Sequence, residues 1–398
     1  MNPIKRNIRL FKIDAFLAGI WPLSTLAIIY FEQITYSYAL AMLVWSVANL
    51  TQTFGEIPTG IFSDKIGRRK TLMMAALTIL ICFLLWALAG QFELVSLLFV
   101  GAFFWGLSDA FLSGTNEALM YETMNELNEK GDFSVLYAKS NFWVQFGLGL
   151  SALFAAGWTY FYSLQSLAWI SVFPITGQLV TSWLFVEPKR TQQQTRTTSW
   201  AHFLIAFRRL WRNKKLRFYA TISIIDEIVG FAFLRIEASY YNTLIQTWLI
   251  NIVRFVKQVS GMIGFAITPL FKRFGSIKCF FSALTLNELL RLLALALNNT
   301  FSPFIMALRN VCWGVSDTAK TDILQQEFSD NQRATMQSII SLVKGILGAI
   351  VMYLFGVIAD ISSPRMAVIT AMSVKIMVLI VSFIILRKGK KNVRTGKI

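Results

Sequence analysis

The chain is 398 residues long, with 55% hydrophobic and only 15% charged residues, a mean hydropathy of +0.56 and a formal charge of +17. Soluble domains carry about 45–50% apolar and about 25% charged residues, so the main solvent of this chain is lipid. Its basic residues lie between long apolar runs rather than on a polar surface, which excludes a nucleic-acid binder, and three scattered cysteines with a single histidine exclude a disulfide framework and a metal site.

A helix needs about 20 mainly apolar residues to cross the hydrocarbon core. That length predicts twelve spans, near 13–31, 37–62, 72–90, 94–121, 139–158, 162–186, 216–236, 246–271, 277–297, 301–325, 336–360 and 366–386. The first follows Lys5, Arg6, Arg9 and Lys12 but is too long for a signal-peptide core and lacks a small-residue cleavage site, so it reads as a retained span. Most connections are short. The exceptions are 122–138 and 187–215, the second a polar linker from Glu187 that continues from Ser199 as an amphipathic surface helix. The Lys and Arg residues of the connections fall on one side, with only Arg365 opposite, so the positive-inside rule places both termini in the cytoplasm.

An internal repeat organises these spans. Trp105-Gly-Leu-Ser-Asp109-Ala in span 4 recurs as Trp313-Gly-Val-Ser-Asp317-Thr in span 10. The same separation carries Asp64–Lys70, after span 2, onto Lys272–Lys278, after span 8. The predicted fold is an all-α membrane protein of two six-helix bundles, 1–186 and 216–398, joined by the cytoplasmic linker 187–215.

Gly60-Ile-Phe-Ser-Asp64-Lys-Ile-Gly67-Arg68-Arg69-Lys-Thr-Leu72, preceded by Glu56-Ile-Pro58, resembles the span 2–3 loop signature of the major facilitator superfamily. The resemblance implies a bacterial secondary transporter working by alternating access. It also implies a gate of Glu56, Gly60, Asp64, Gly67 and Arg68, in which Asp64 and Arg68 contact the end of span 11. Lys272 replaces the aspartate in the second copy, so such a gate is asymmetric. Read physically, the two glycines permit a tight turn and Asp64 can pair with Arg68 across it. The stretch Gly114-Thr-Asn-Glu117-Ala-Leu-Met-Tyr121-Glu122 resembles bacterial efflux members. Span 5 lacks the Gly-Pro signature of proton-driven drug exporters, however, and span 4 lacks their arginine.

Ionisable residues inside spans usually face a cavity or a partner. The first half buries acids, Asp14, Glu56, Asp109 and Glu117; the second buries Arg235, Arg254, Lys257, Arg291, Arg309, Lys320, Lys344 and Lys375. Glu288 and Arg291 are spaced as an i,i+3 pair. Depth matching pairs Asp317 with Lys344, and Asp226 and Glu227 with Arg254 and Lys257. Asp109, Ser113 and Glu117 follow i, i+4, i+8, so Asp109 and Glu117 are the candidate proton carriers. Arg254, Lys257, Arg309 and Asn116 are the candidate substrate contacts. The tryptophans within spans, Trp21, Trp45, Trp105, Trp143, Trp248 and Trp313, read as packing and interfacial residues.

The expected function is proton-coupled export of an amphipathic, anionic or zwitterionic small molecule across the bacterial cytoplasmic membrane, by a monomer. Uptake or facilitated diffusion of an organic anion without protons is the alternative. No P-loop, nucleophile elbow or zinc-protease motif is present and no connection approaches a catalytic domain in size. The expectation is therefore no enzyme and no cofactor.

Overall fold

The computed structural model describes residues 3–127, 133–189, 214–271, 275–327 and 330–394. The predicted surface helix after Ser199 lies outside them, as do the side chains of Asp226, Asp317 and Lys320. The described chain is helical, with no strand. Its helices are α1 (Lys5–Gly19), α2 (Ala27–Thr35), α3 (Tyr38–Ile66), α4 (Arg68–Phe92), α5 (Val95–Leu112), α6 (Thr115–Glu126), α7 (Phe133–Phe161), α8 (Leu164–Ile170) and α9 (Val172–Leu184). They continue as α10 (Lys214–Asn242), α11 (Thr247–Phe271), α12 (Ser276–Leu297), α13 (Ser302–Leu308), α14 (Asn310–Glu327), α15 (Asp330–Ile361) and α16 (Pro364–Arg394). Among the described residues six stretches are long and apolar enough to cross a membrane: Arg68–Phe92, Val95–Glu126, Leu164–Leu184, Thr247–Thr268, Lys278–Leu297 and Ser341–Ile361.

Four predicted segments are each broken into two helices. The first parts at residues 20–26, around Pro22, and the fourth parts at Ser113–Gly114, where Gly114 adopts φ +72°. The sixth and tenth break near Ser171 and Arg309. The break at Gly114 corrects one expectation: Asp109 ends α5 while Glu117 lies in the first turn of α6, so the two carboxylates do not share a continuous helix face.

Close backbone approach holds the helices together, as expected where lipid removes the hydrophobic drive for helix association. A Cβ on Gly106 would lie 2.1 Å from the Ala48 carbonyl oxygen, so α5 can seat against α3 only with glycine there. Gly264 plays the matching part in the second half, where a Cβ would come within 2.3 Å of the Val311 oxygen. The loop copies also agree, since Gly67 (φ +108°) and Gly275 (φ +81°) each take a backbone conformation open mainly to glycine.

The two sequence halves meet along α3 with α15 and α7 with α11. On the first seam Ser46 donates to the Ala349 oxygen (2.7 Å) and Asn49 to the Gly345 oxygen (2.7 Å). Gly345 lies against Thr53, Gly348 against Asn49 and Gly356 against Tyr38 and Ala39. At the Ser37 end, the Asp360 carboxylate accepts from Ser37 Oγ (2.6 Å), Tyr38 N (2.6 Å) and Ala39 N (3.0 Å), capping α3 with a side chain from the other half. Beyond Thr53, the α3 side chains Phe54, Ile57 and Ile61 stand exposed and Gly60 has nothing within 4 Å. The second seam joins Gln258 to Gln145 (3.3 Å) and packs Tyr160 on Trp248 (5.5 Å between rings).

Candidate functional site

Where the halves meet, the first half presents an aromatic cluster. Trp45 from α3, Trp86 from α4, Trp105 from α5 and Trp21 from the break before α2 surround one another. Ring centroids lie 5.2 Å apart for Trp45–Trp105, 5.2 Å for Trp86–Trp105 and 4.8 Å for Trp21–Trp105. These geometries, edge-on or stacked, are those the ring quadrupoles favour. Two of the four indole N–H groups are satisfied: Trp86 Nε1 donates to the Leu98 oxygen (3.1 Å) and Trp105 Nε1 to Asp109 Oδ2 (3.0 Å), one helical turn on. Trp21 and Trp45 Nε1 are buried without a partner among the described residues.

Arg235 enters this cluster from α10, in the second half. Its guanidinium lies 3.6 Å from the centre of the Trp45 ring, a cation–π contact, and its Nε has no hydrogen-bond partner among the described residues. It stands within electrostatic reach of Asp109 and Arg254. A carboxylate from one half and a guanidinium from the other thus lie within electrostatic reach, each half-buried, beside stacked tryptophans.

Behind Arg235 the second half holds a denser ionic network. Lys257 on α11 is paired with Glu237 on α10, whose second oxygen accepts from the Tyr241 hydroxyl (3.3 Å). Arg254, one turn before Lys257, lies in the field of Glu237 and makes no hydrogen bond among the described residues. Arg309 donates to Asn287 Oδ1 (2.9 Å), Asn287 donates to Glu288 Oε1 (2.9 Å), and Arg291 pairs with Glu288 (2.9 Å), the expected i,i+3 pair. Phe233 receives both guanidinium groups on its ring, Arg291 at 4.7 Å and Arg309 at 5.5 Å. Buried charges are costly unless partnered, and within these described residues only Arg254 lacks a direct partner.

Several predicted partners change. Lys257 is neutralised by Glu237, which the sequence reading omitted because the seventh span was drawn to end at 236, whereas α10 runs to Asn242. Lys344 is paired with Glu227, because α15 packs against α10, while the side chain of Asp317, its expected partner, lies outside the described residues. Glu117 is exposed, and Asn116 carries a buried Oδ1 without a partner among the described residues. Arg309 is tied to Asn287, leaving Arg254 as the least committed of the predicted substrate contacts. Arg235 and the tryptophans were legible only as an intramembrane cation and as packing. The available signal was an arginine inside a span of one half and tryptophans in the first four spans of the other.

At the loop motif, Arg68 bonds Asp64 (2.9 Å), Glu122 (3.2 Å) and Ser63 Oγ (2.8 Å), all in the first half. Glu187, read from sequence as the start of a linker, accepts from the backbone N–H groups of Arg68 and Arg69 (2.8 Å each) and so caps α4. A Cβ on Gly67 would lie 2.7 Å from that carboxylate, a second reason for glycine in the motif. Glu56 is exposed on α3 beside Pro58.

A helical membrane protein whose halves meet around facing charges has the construction of a secondary transporter. The chain belongs to the major facilitator superfamily, whose family model matches residues 15–266. No curated protein matches the sequence. Similar solved structures include a point-mutant form of the nucleoside transporter NupG, with 15% identity, 94% of this chain and 98% of that one covered, and a TM-score of 0.79. A D-xylose-proton symporter has 12% identity, 92% and 96% coverage and a TM-score of 0.69. The POT family transporter PepTSo has 11% identity, 97% and 98% coverage and a TM-score of 0.73. The chain is therefore a multi-pass transport protein and not an enzyme.

Proposed function

We propose that the chain is a twelve-span transporter of the bacterial cytoplasmic membrane, with two six-helix bundles (1–186 and 216–398) and both termini cytoplasmic. It exports an amphipathic, anionic or zwitterionic small molecule as a monomer, coupled to protons by alternating access. The carrying observation is that Asp109 of one half and Arg235 of the other enter one tryptophan cluster, Asp109 bonded to Trp105 and Arg235 lying on Trp45. Charges at such a place change neighbours when the halves rock, which gives proton and substrate binding a different free energy in each state. Closure at the Ser37 end, with exposed α3 side chains toward the Asp64 end, corresponds in this topology to an inward-facing state. A proton symporter among the structural neighbours supports coupling. Export rests on the resemblance of Gly114–Glu122 to efflux proteins. Asp109 is the main proton carrier and Glu117 an accessory one; Arg235 and Arg254 contact the substrate.

The second reading is transport of an organic anion without protons. Arg235 favours it, since a fixed cation at this interface can hold an anionic cargo without any proton moving. Proteoliposomes with an imposed pH gradient distinguish the two. Gradient-driven flux that disappears in Asp109→Asn, with folded yield preserved, supports coupling; undiminished flux refutes it.

A further inference from the structure

Buried hydrogen-bond donors without acceptors are rare in folded proteins, and several in one place describe what the place lacks. Trp21 Nε1, Trp45 Nε1 and Arg235 Nε are all buried and unpartnered among the described residues. They belong to one contiguous group: Arg235 lies on Trp45 at 3.6 Å, Trp45 is 5.2 Å from Trp105, and Trp105 is 4.8 Å from Trp21. The group is embedded, with Trp45 only 2% and Trp105 only 4% exposed. A second guanidinium, Arg254, lies within electrostatic reach of Arg235 and makes no hydrogen bond among the described residues. Against these donors stands the carboxylate of Asp109, with Oδ2 already accepting from Trp105. The cations deeper in the second half, Lys257, Arg291 and Arg309, are bonded to Glu237, Glu288 and Asn287, although Arg309 Nε is also without a partner among the described residues.

The deficit is of acceptors and of negative charge, and the surrounding surface is aromatic. A cationic ligand brings further donors and meets Arg235 and Arg254 with like charge. An aliphatic anion satisfies the guanidinium groups but offers no ring to Trp21, the one half-buried indole of the cluster, since Arg235 already covers Trp45 and Trp86 already stacks on Trp105. A planar ring bearing a carboxylate answers both needs, because guanidinium binds carboxylate in a paired, two-point geometry and aromatic rings stack or meet edge to face.

We propose that the ligand at this site is a planar aromatic organic anion, its charged group held at Arg235 and its ring against the half-buried Trp21, at the edge of the packed Trp45–Trp105 pair. The proposal rests on the reading of this interface as the transport site and sharpens its substrate class. Asp109 repels such a ligand while ionised and competes with it for Arg235.

The test is calorimetric titration of the purified full chain in nanodiscs with benzoate and nicotinate, their uncharged counterparts benzamide and nicotinamide, acetate, and benzylamine. The expected order places each aromatic anion at least tenfold tighter than its amide, with acetate and benzylamine weakest. Asp109→Asn tightens benzoate several-fold, and Arg235→Gln removes the preference of anion over amide. Benzylamine binding tighter than benzoate, or amides equal to anions, overturns the proposal on the wild-type protein alone, whatever the variants do. Liposome flux of radiolabelled nicotinate and benzylamine separates the two levels of the argument. Asp109-dependent movement of benzylamine alone ends the anion proposal and leaves the transporter reading standing. Movement of neither, by protein that binds benzoate through Arg235, overturns the placement of transport at this interface.

Discussion

Asp360→Ala is a direct test of how the two halves are held. The carboxylate accepts three hydrogen bonds from the first turn of α3 and from Ser37, at 2.6, 2.6 and 3.0 Å. Hydrogen bonds to a charged group are worth about 1.5–3 kcal/mol where buried, but this carboxylate is exposed, and solvent screening reduces each to about 0.5 kcal/mol. The substitution therefore removes about 1.5 kcal/mol from the state closed at the Ser37 end, a shift of about tenfold in the ratio of closed to open molecules. Spin labels on cysteines at 36 and 361, which replace the exposed Tyr36 and Ile361 in a background lacking Cys82, Cys279 and Cys312, report the separation by pulsed electron resonance. The ratio of the longer-distance to the shorter-distance population should rise about tenfold, with Asp360→Asn intermediate because its amide oxygen still accepts. Identical distance distributions for wild type and Asp360→Ala would refute the reasoning, since the contact would then contribute nothing to closure.

Other substitutions test the packing and the ionic network. Lys257→Met strands Glu237 in the interior and should lower stability by about 3–5 kcal/mol, while the added change Glu237→Gln restores most of it; thermal unfolding in detergent measures both. Gly264→Ala drives a methyl group onto the Val311 backbone and should cost about 1–3 kcal/mol or more, whereas Gly60→Ala, with open space around it, should be neutral or slightly stabilising by the same measurement. Glu187→Ala leaves the Arg68 and Arg69 amides without their acceptor and should cost about 1 kcal/mol, seen as faster hydrogen exchange confined to the start of α4. Unchanged exchange there would mean that water serves those amides equally well.

Helical structure was legible because apolar runs of membrane length have few other uses, and Gly67 because the motif needs a tight turn there, whereas Gly60, expected in the same turn, lies inside α3 with open space around it. The pair Glu288–Arg291 was legible because its partners lie on one helix. Pairs between helices were harder, since depth along a span says nothing about rotation or neighbour order. Glu227 matched Arg254 in depth yet meets Lys344, because α10 presents that face to α15. The alignment of Asp109 with Glu117 failed for a local reason: Gly114 takes a left-handed backbone conformation and restarts the helix on a new course. Trp21, Trp45 and Trp105 read as packing because that explains most intramembrane tryptophans, and only the unpartnered indole nitrogens of Trp21 and Trp45 set this group apart.

The seam between α3 and α15 has a consequence for the work of switching. Its contacts include glycines set against short polar side chains and backbone, and short polar side chains donating to carbonyl oxygens. Parting two such surfaces opens no large voids and breaks only a handful of polar contacts that water can replace. A ligand moves a conformational equilibrium by no more than the difference in its affinity for the two states. A shallow seam keeps that required difference small, so a weakly held cargo is enough to reverse the motion. A carrier must release what it binds at every turn, and the smoothness of this contact allows it to move without gripping hard.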